Sequence, residues 1–101
     1  MPNIEVLKQF VAKSPNDPFP RYGLGMELVK LGELEEARAA FAELEEKFPE
    51  YIAQYLMHAN LLVKMQRSED ARRVLTDGIA VAKKVGNGHA LSELQGVLDS
   101  L

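Results

Sequence analysis

His89 and Glu93 stand four residues apart, a spacing that places an imidazole and a carboxylate on one helix face. Such a pair could begin a metal site. A metal needs further ligands at matched spacing, and no third one is evident. His58, the other histidine, falls in an apolar helical stretch and reads as a partly buried packing residue. Ser14, Ser68, Ser92 and Ser100 have no paired base to activate them. Gly86-Asn87-Gly88 follows a helical stretch rather than a strand, so it reads as a turn and not as a phosphate loop. Cysteine is absent, which excludes a disulfide, a thiolate zinc site and a thiol nucleophile. The chain is therefore expected not to be an enzyme, and to hold no metal and no cofactor.

The bulk composition narrows the class further. A length of 101 residues suits one domain with one core. A hydrophobic content of 47% with 27% charged residues is that of a globular chain, not a disordered one. A net charge of −3 offers no basic field for nucleic acid. No apolar run is long enough to span a membrane. The opening Met1-Pro2-Asn3-Ile4-Glu5-Val6 lacks the basic-then-apolar pattern of a secretory signal. The expectation is a cytoplasmic protein, or a domain of a larger one.

Six helical segments position whatever surface does the work. The first spans about Pro2 to Lys13, with Ile4, Leu7, Phe10 and Val11 on one face. Pro15 and Pro18 end it. The second spans about Phe19 to Leu31, with Pro20 tolerated in its first turn and Gly32 as a left-handed stop. The third spans about Glu33 to Phe48 and carries Leu34, Ala37, Phe41, Leu44 and Phe48 as its stripe. The fourth spans about Tyr51 to Met65. The fifth runs from Ser68, read as an N-cap, to about Val85. The sixth, about His89 to Ser100, has Leu91, Leu94, Val97, Leu98 and Leu101 on one face. Links of a few residues make consecutive helices antiparallel neighbours.

The segments repeat. Residues 18–51 and 52–85 align with a period of 34 residues: Leu24 with His58, Gly25 with Ala59, Leu28 with Leu62, Ala37 with Ala71, Phe41 with Leu75. A period of this size marks units that must stack to bury their apolar faces. Small residues at 25, 37, 59 and 71 suit places where two helix backbones approach closely. Phe41 and Leu75 are large enough to fill the space between helix pairs.

With Leu24-Gly25, Gly32, Ala37-x-x-x-Phe41 and Pro49 in the first copy, and Tyr55, Ala59, Ala71 and Leu75 in the second, the chain resembles the tetratricopeptide repeat. It departs from that pattern at Arg21, Leu28, His58, Gln66 and Lys83. The resemblance implies an all-α fold, a short solenoid of about six antiparallel helices in a single domain. Residues 4–17 would be a half repeat, 18–51 and 52–85 two repeats, and 89–101 a capping helix. It also implies a protein–protein interaction scaffold whose concave face comes from the first helix of each repeat. The residues matching that face are Phe19, Tyr22, Met26, Val29 and Lys30, then Ala53, Leu56, Asn60, Val63 and Lys64. Some family members clamp a partner's C-terminal carboxylate with Lys and Asn. Phe19, Tyr22 and Met26 stand where such a clamp would want polar groups, so an apolar groove with a basic edge is expected.

The groove has two readings. It takes a protein or peptide partner, or it serves assembly, as a homodimer or by docking on a fused or separate enzyme domain. Charge offers a second surface. Glu33 to Glu50 hold seven carboxylates against two cations, a net of −5, and Arg72 to Lys84 carry a net of +3. Both read as solvated faces, or as complementary docking patches that salt would weaken.

Overall fold

The computed structural model describes residues 3–101, and among them there are six helices and no strand. They are α1 (Ile4–Lys13), α2 (Pro18–Lys30), α3 (Leu34–Lys47), α4 (Ala53–Lys64), α5 (Ser68–Val85) and α6 (Gly88–Asp99). The helices fall into two compact units, Met1–Phe48 and Pro49–Leu101.

In the first unit α1 packs on α2, and α2 on α3. The Asn3 carboxamide caps α1 by accepting from the Val6 N–H at 2.9 Å. The expected start of this helix near Pro2 lies outside the described residues. Asp17 caps α2 by accepting from the Phe19 N–H at 3.0 Å, with Pro18 in the first turn, where a missing N–H costs nothing. Ala37, Phe41 and Leu44 are fully buried on α3, and Gly25 and Leu28 are buried on α2. A Cβ built on Gly25 would lie 2.9 Å from Phe41 Cζ, so the Phe41 ring fills the space this glycine leaves. Phe10, expected on the packed stripe of α1, is instead 52% exposed. Ile4, Leu7 and Val11 carry the packing, because Phe10 lies off their line around the helix.

In the second unit α4 packs on α5 and α6 on both. One apolar cluster joins Tyr55, Ala59 and Leu62 of α4, Ala71, Val74, Leu75, Ile79 and Ala82 of α5, and Leu94 of α6. Leu91, Val97, Leu98 and Leu101 pack half-buried against it. His58 is buried, in keeping with a packing role. A Cβ on Gly78 would sit 2.6 Å from Tyr55 Cβ and 3.1 Å from Leu94 Cδ1. The Tyr55 hydroxyl donates to the Pro49 carbonyl at 2.5 Å, and Lys84 reaches Glu50 at 2.5 Å.

The 34-residue period reappears in the helix ends. Gly32 has φ 79°, with the Glu33 N–H bonded to the Leu28 carbonyl at 2.9 Å. Gln66 has φ 62°, with the Arg67 N–H bonded to the Leu62 carbonyl at 2.8 Å. Both are the left-handed stop that satisfies a helix's last carbonyls. Ser68 is not the N-cap of α5. Arg67 holds that place and no side chain caps it, because the backbone is already fixed by the left-handed turn at Gln66.

Charge also reads differently in three dimensions. Arg72 pairs with Glu69, and Arg73 with Asp70 at 2.8 Å. These partners lie one helical turn earlier, just outside the stretch that reads as basic. From Ser68 to Val85 the net charge is only +1.

Candidate protein-binding surface

α2 turns Phe19, Met26, Val29 and Lys30 to one side, and that side meets α1. The two helices leave an open apolar crevice of about 560 Å³ lined by Leu7, Phe19, Gly23, Met26, Glu27, Val29 and Lys30. Gly23 makes room in its wall, where an added Cβ would reach within 3.6 Å of Leu7 Cδ2. Phe19 is 65% exposed and Met26 38% exposed, so both offer apolar surface to solvent. Four residues of the expected groove thus come together in the first unit. Leu7, Gly23 and Glu27 belong to the crevice as well and were not expected there. A helix-interior glycine was the available signal, since it leaves a notch that a neighbouring helix must line or expose.

Tyr22 has a different place from its neighbours. It is half-buried, and its ring meets Phe41 edge-on, with centroids 6.3 Å apart and an interplanar angle of 67°. Burial pushes its phenol pKa above the ordinary value. Tyr22 therefore supports the floor of the first unit.

In the second unit α4 presents the other expected set. Val63 is 37% exposed, Asn60 and Lys64 are exposed, and Leu56 is half-buried against the apolar cluster. Lys30 and Lys64 hold equivalent positions in the last turns of α2 and α4. Neither makes an ion pair among the described residues, whereas Lys8, Arg21, Arg38, Arg72, Arg73 and Lys84 all do. α4 contains no acidic residue. The arrangement supplies apolar area and free positive charge.

Polar chemistry elsewhere is sparse. His89 lies 3.4 Å from Glu93 on α6, and among the described residues no three His, Asp or Glu side chains are grouped to hold a metal ion. No helix among those residues is long and apolar enough to cross a membrane.

No family model matches the sequence, and no curated protein matches it. Solved structures do. The chain is similar to a tetratricopeptide repeat domain protein of Salinibacter ruber in solution, at 37% identity and a TM-score of 0.81, over 85% of this chain and 87% of that one. The crystal structure of the Salinibacter ruber domain gives 36% identity and a TM-score of 0.77, over 84% and 94% of the two chains. A Bordetella parapertussis protein shares the fold at 20% identity, with a TM-score of 0.82 over 99% and 87%. The chain belongs to the tetratricopeptide-repeat family, and it is a helical-repeat module of the protein-interaction class.

Proposed function

We propose that the chain binds a protein or peptide through the exposed side of its first helices. In the first unit the contact residues are Phe19, Met26, Val29 and Lys30, with Tyr22 supporting them. In the second they are Leu56, Asn60, Val63 and Lys64. The reading rests on the crevice between α1 and α2, which keeps Phe19 and Met26 exposed beside a cation with no ion pair. Exposed apolar anchors in a concave notch, bordered by charge, are what an interaction surface requires. Residues 4–17 act as the half repeat that walls this crevice, and residues 89–101 as the helix that closes the second unit.

A peptide-display selection followed by fluorescence titration tests the reading. Met26→Ser should weaken the selected peptide by about tenfold or more, as loss of an anchor does. Lys30→Ala should change mainly the association rate and the salt dependence. Glu46→Ala on α3 should leave binding intact. Binding that survives Met26→Ser together with Phe19→Ser, but fails when the acids of α3 are replaced, would move the working surface to the second helices. A dimeric mass in light scattering that Met26→Ser dissolves would assign the crevice to self-assembly.

A further inference from the structure

Gly86-Asn87-Gly88 joins α5 to α6, and Asn87 is tied to both helices. Its N–H donates to the Ala82 carbonyl at 2.9 Å, closing the left-handed stop at Gly86. Its side-chain carbonyl accepts from the Ala90 N–H at 3.0 Å and so caps α6. Its backbone carbonyl accepts from the Leu91 N–H at 3.0 Å, a bond of the helix's first turn.

The same dipeptide carries a reaction of its own. An asparagine amide is open to attack by the backbone nitrogen of the residue that follows it. The Gly88 nitrogen, having given its proton to hydroxide, forms a bond to Asn87 Cγ. The Cγ–Nδ2 bond breaks, and the amide nitrogen takes a proton from water and leaves as ammonia. The product is a five-membered succinimide. Water then opens the ring at either carbonyl, giving aspartate or isoaspartate, whose main chain runs through Cγ. A side chain on the following residue obstructs the attack, and glycine has none. Asn3, Asn16 and Asn60 instead precede Ile4, Asp17 and Leu61.

The fold holds this reaction off by conformation. Ring closure needs the Gly88 nitrogen eclipsed with Asn87 Cβ about the Cα–C bond. At ψ 88° the two are nearly opposite, and turning one onto the other takes α6 out of line with its cap. Nothing else shields the bond, since Gly88 is exposed and an added Cβ would meet nothing within 4 Å. The two products then differ. Aspartate still caps, because its carboxylate accepts as the amide did and suits the positive end of the helix. Isoaspartate cannot keep all of these hydrogen bonds, because its main chain is longer by an atom. α6 brings Leu94, with half-buried Leu91, Val97 and Leu98, onto the apolar cluster of the second unit, so losing the cap loosens that cover. We propose that Asn87-Gly88 is a deamidation site gated by α6: closed while the cap stands, reactive when the first turn opens, and loosening α6 once isoaspartate has formed. The site lies outside the binding surface proposed above and does not depend on it.

Where reclosing is fast, the folded rate is the unfolded rate scaled by the open fraction. The test incubates the protein at mildly alkaline pH, folded and in guanidinium chloride, and follows each asparagine by peptide mapping and mass spectrometry. In denaturant Asn87 should convert several-fold faster than Asn3, Asn16 or Asn60. In the folded chain its conversion should be slower by about tenfold or more. Leu98→Ala and Val97→Ala trim half-buried side chains of α6, and each should raise the folded rate several-fold while the helical circular dichroism signal is kept. Gly88→Leu, which has open space for its side chain, should suppress conversion in both states. The purified isoaspartate form should melt below wild type, whereas Asn87→Asp should not. Equal rates in the folded and denatured chains, or a folded rate indifferent to both α6 variants, would overturn the gating. Faster conversion at another asparagine in denaturant would overturn the site, and an isoaspartate form that melts with wild type would overturn its effect on α6.

Discussion

The helix pairs α2/α3 and α4/α5 occupy the same register but make their closest glycine contacts at different positions in it. In the first, the small residue is on the leading helix: Gly25 opens the space that Phe41 of α3 fills. In the second, the large residue is on the leading helix: Tyr55 presses on Gly78 of α5. Gly78 is the register equivalent of Leu44, and Tyr55 of Arg21. Arg21 solves its position by burying its stem and pairing its guanidinium with Glu43 of α3, so that only 14% of the side chain is exposed. Tyr55 solves it by burying the ring and donating its hydroxyl to Pro49. What the repeat holds constant is therefore the small-against-large pairing at Gly25/Phe41 and Ala59/Leu75, not the residue at every position. Close packing demands this, because a core tolerates little change in volume but considerable exchange of shape.

The largest test of that view removes a filler. Phe41→Ala should cost about 3–5 kcal/mol, since it removes a fully buried ring and leaves both Gly25 and Tyr22 facing a void. A urea midpoint shifted by less than a third of that would mean that α2 collapses freely onto α3, and that the contact at Gly25 is not close.

A smaller and sharper test compares the two glycines. At Gly25 an added methyl meets the far edge of a ring, which can tilt. At Gly78 it meets Tyr55 Cβ, which moves only with the α4 backbone. Alanine also favours a helix over glycine by about 1 kcal/mol, which offsets part of either clash. Gly25→Ala should thus be within about 1 kcal/mol of wild type, and Gly78→Ala destabilising by about 2 kcal/mol. Leucine at either position should be worse than alanine. Equal effects of the two alanines in chemical denaturation would show that helix shift, not ring tilt, governs both sites.

The legible part of the fold was what the period enforces. Gly25, Gly32, Ala37, Phe41, Ala59, Ala71 and Leu75 all sit as their types and spacing require. The illegible part was compensation between positions. Gly78 carries no local sign that a tyrosine on another helix needs its space. Gln66 shows its positive φ only through its register with Gly32, since its own residue type does not favour that conformation. The Arg72–Lys84 stretch is less basic in its helix than by itself, because its paired acids stand one turn upstream of it. For the binding surface, the family resemblance together with helical spacing grouped Phe19, Met26, Val29 and Lys30. It could not supply Leu7 or Gly23, because which side of α1 meets α2 is decided by packing. Tyr22 shared their helix face in sequence but is shared with the core by its contact with Phe41.

The finest contrast between the pairs lies in their helix stops, Gly32 and Gln66. The backbone is left-handed at both, and the flanking hydrogen bonds are the same within 0.1 Å. Glycine adopts this conformation without a Cβ clash, whereas another residue pays about 1–2 kcal/mol there. Glycine also has more freedom to lose from the unfolded chain, by about 0.4–1 kcal/mol. The difference predicts that Gln66→Gly stabilises the protein by about 0.5–1 kcal/mol, and that Gly32→Gln destabilises it by a similar amount. In a chain of this size that corresponds to a rise of about 3–6 °C in Tm for Gln66→Gly. Thermal and urea midpoints of the two single variants and of the double exchange measure it, and the double exchange should return close to wild type. A midpoint unmoved by Gln66→Gly would show that the glutamine side chain makes contacts that offset its strained backbone, and that the two stops differ in more than their Cβ.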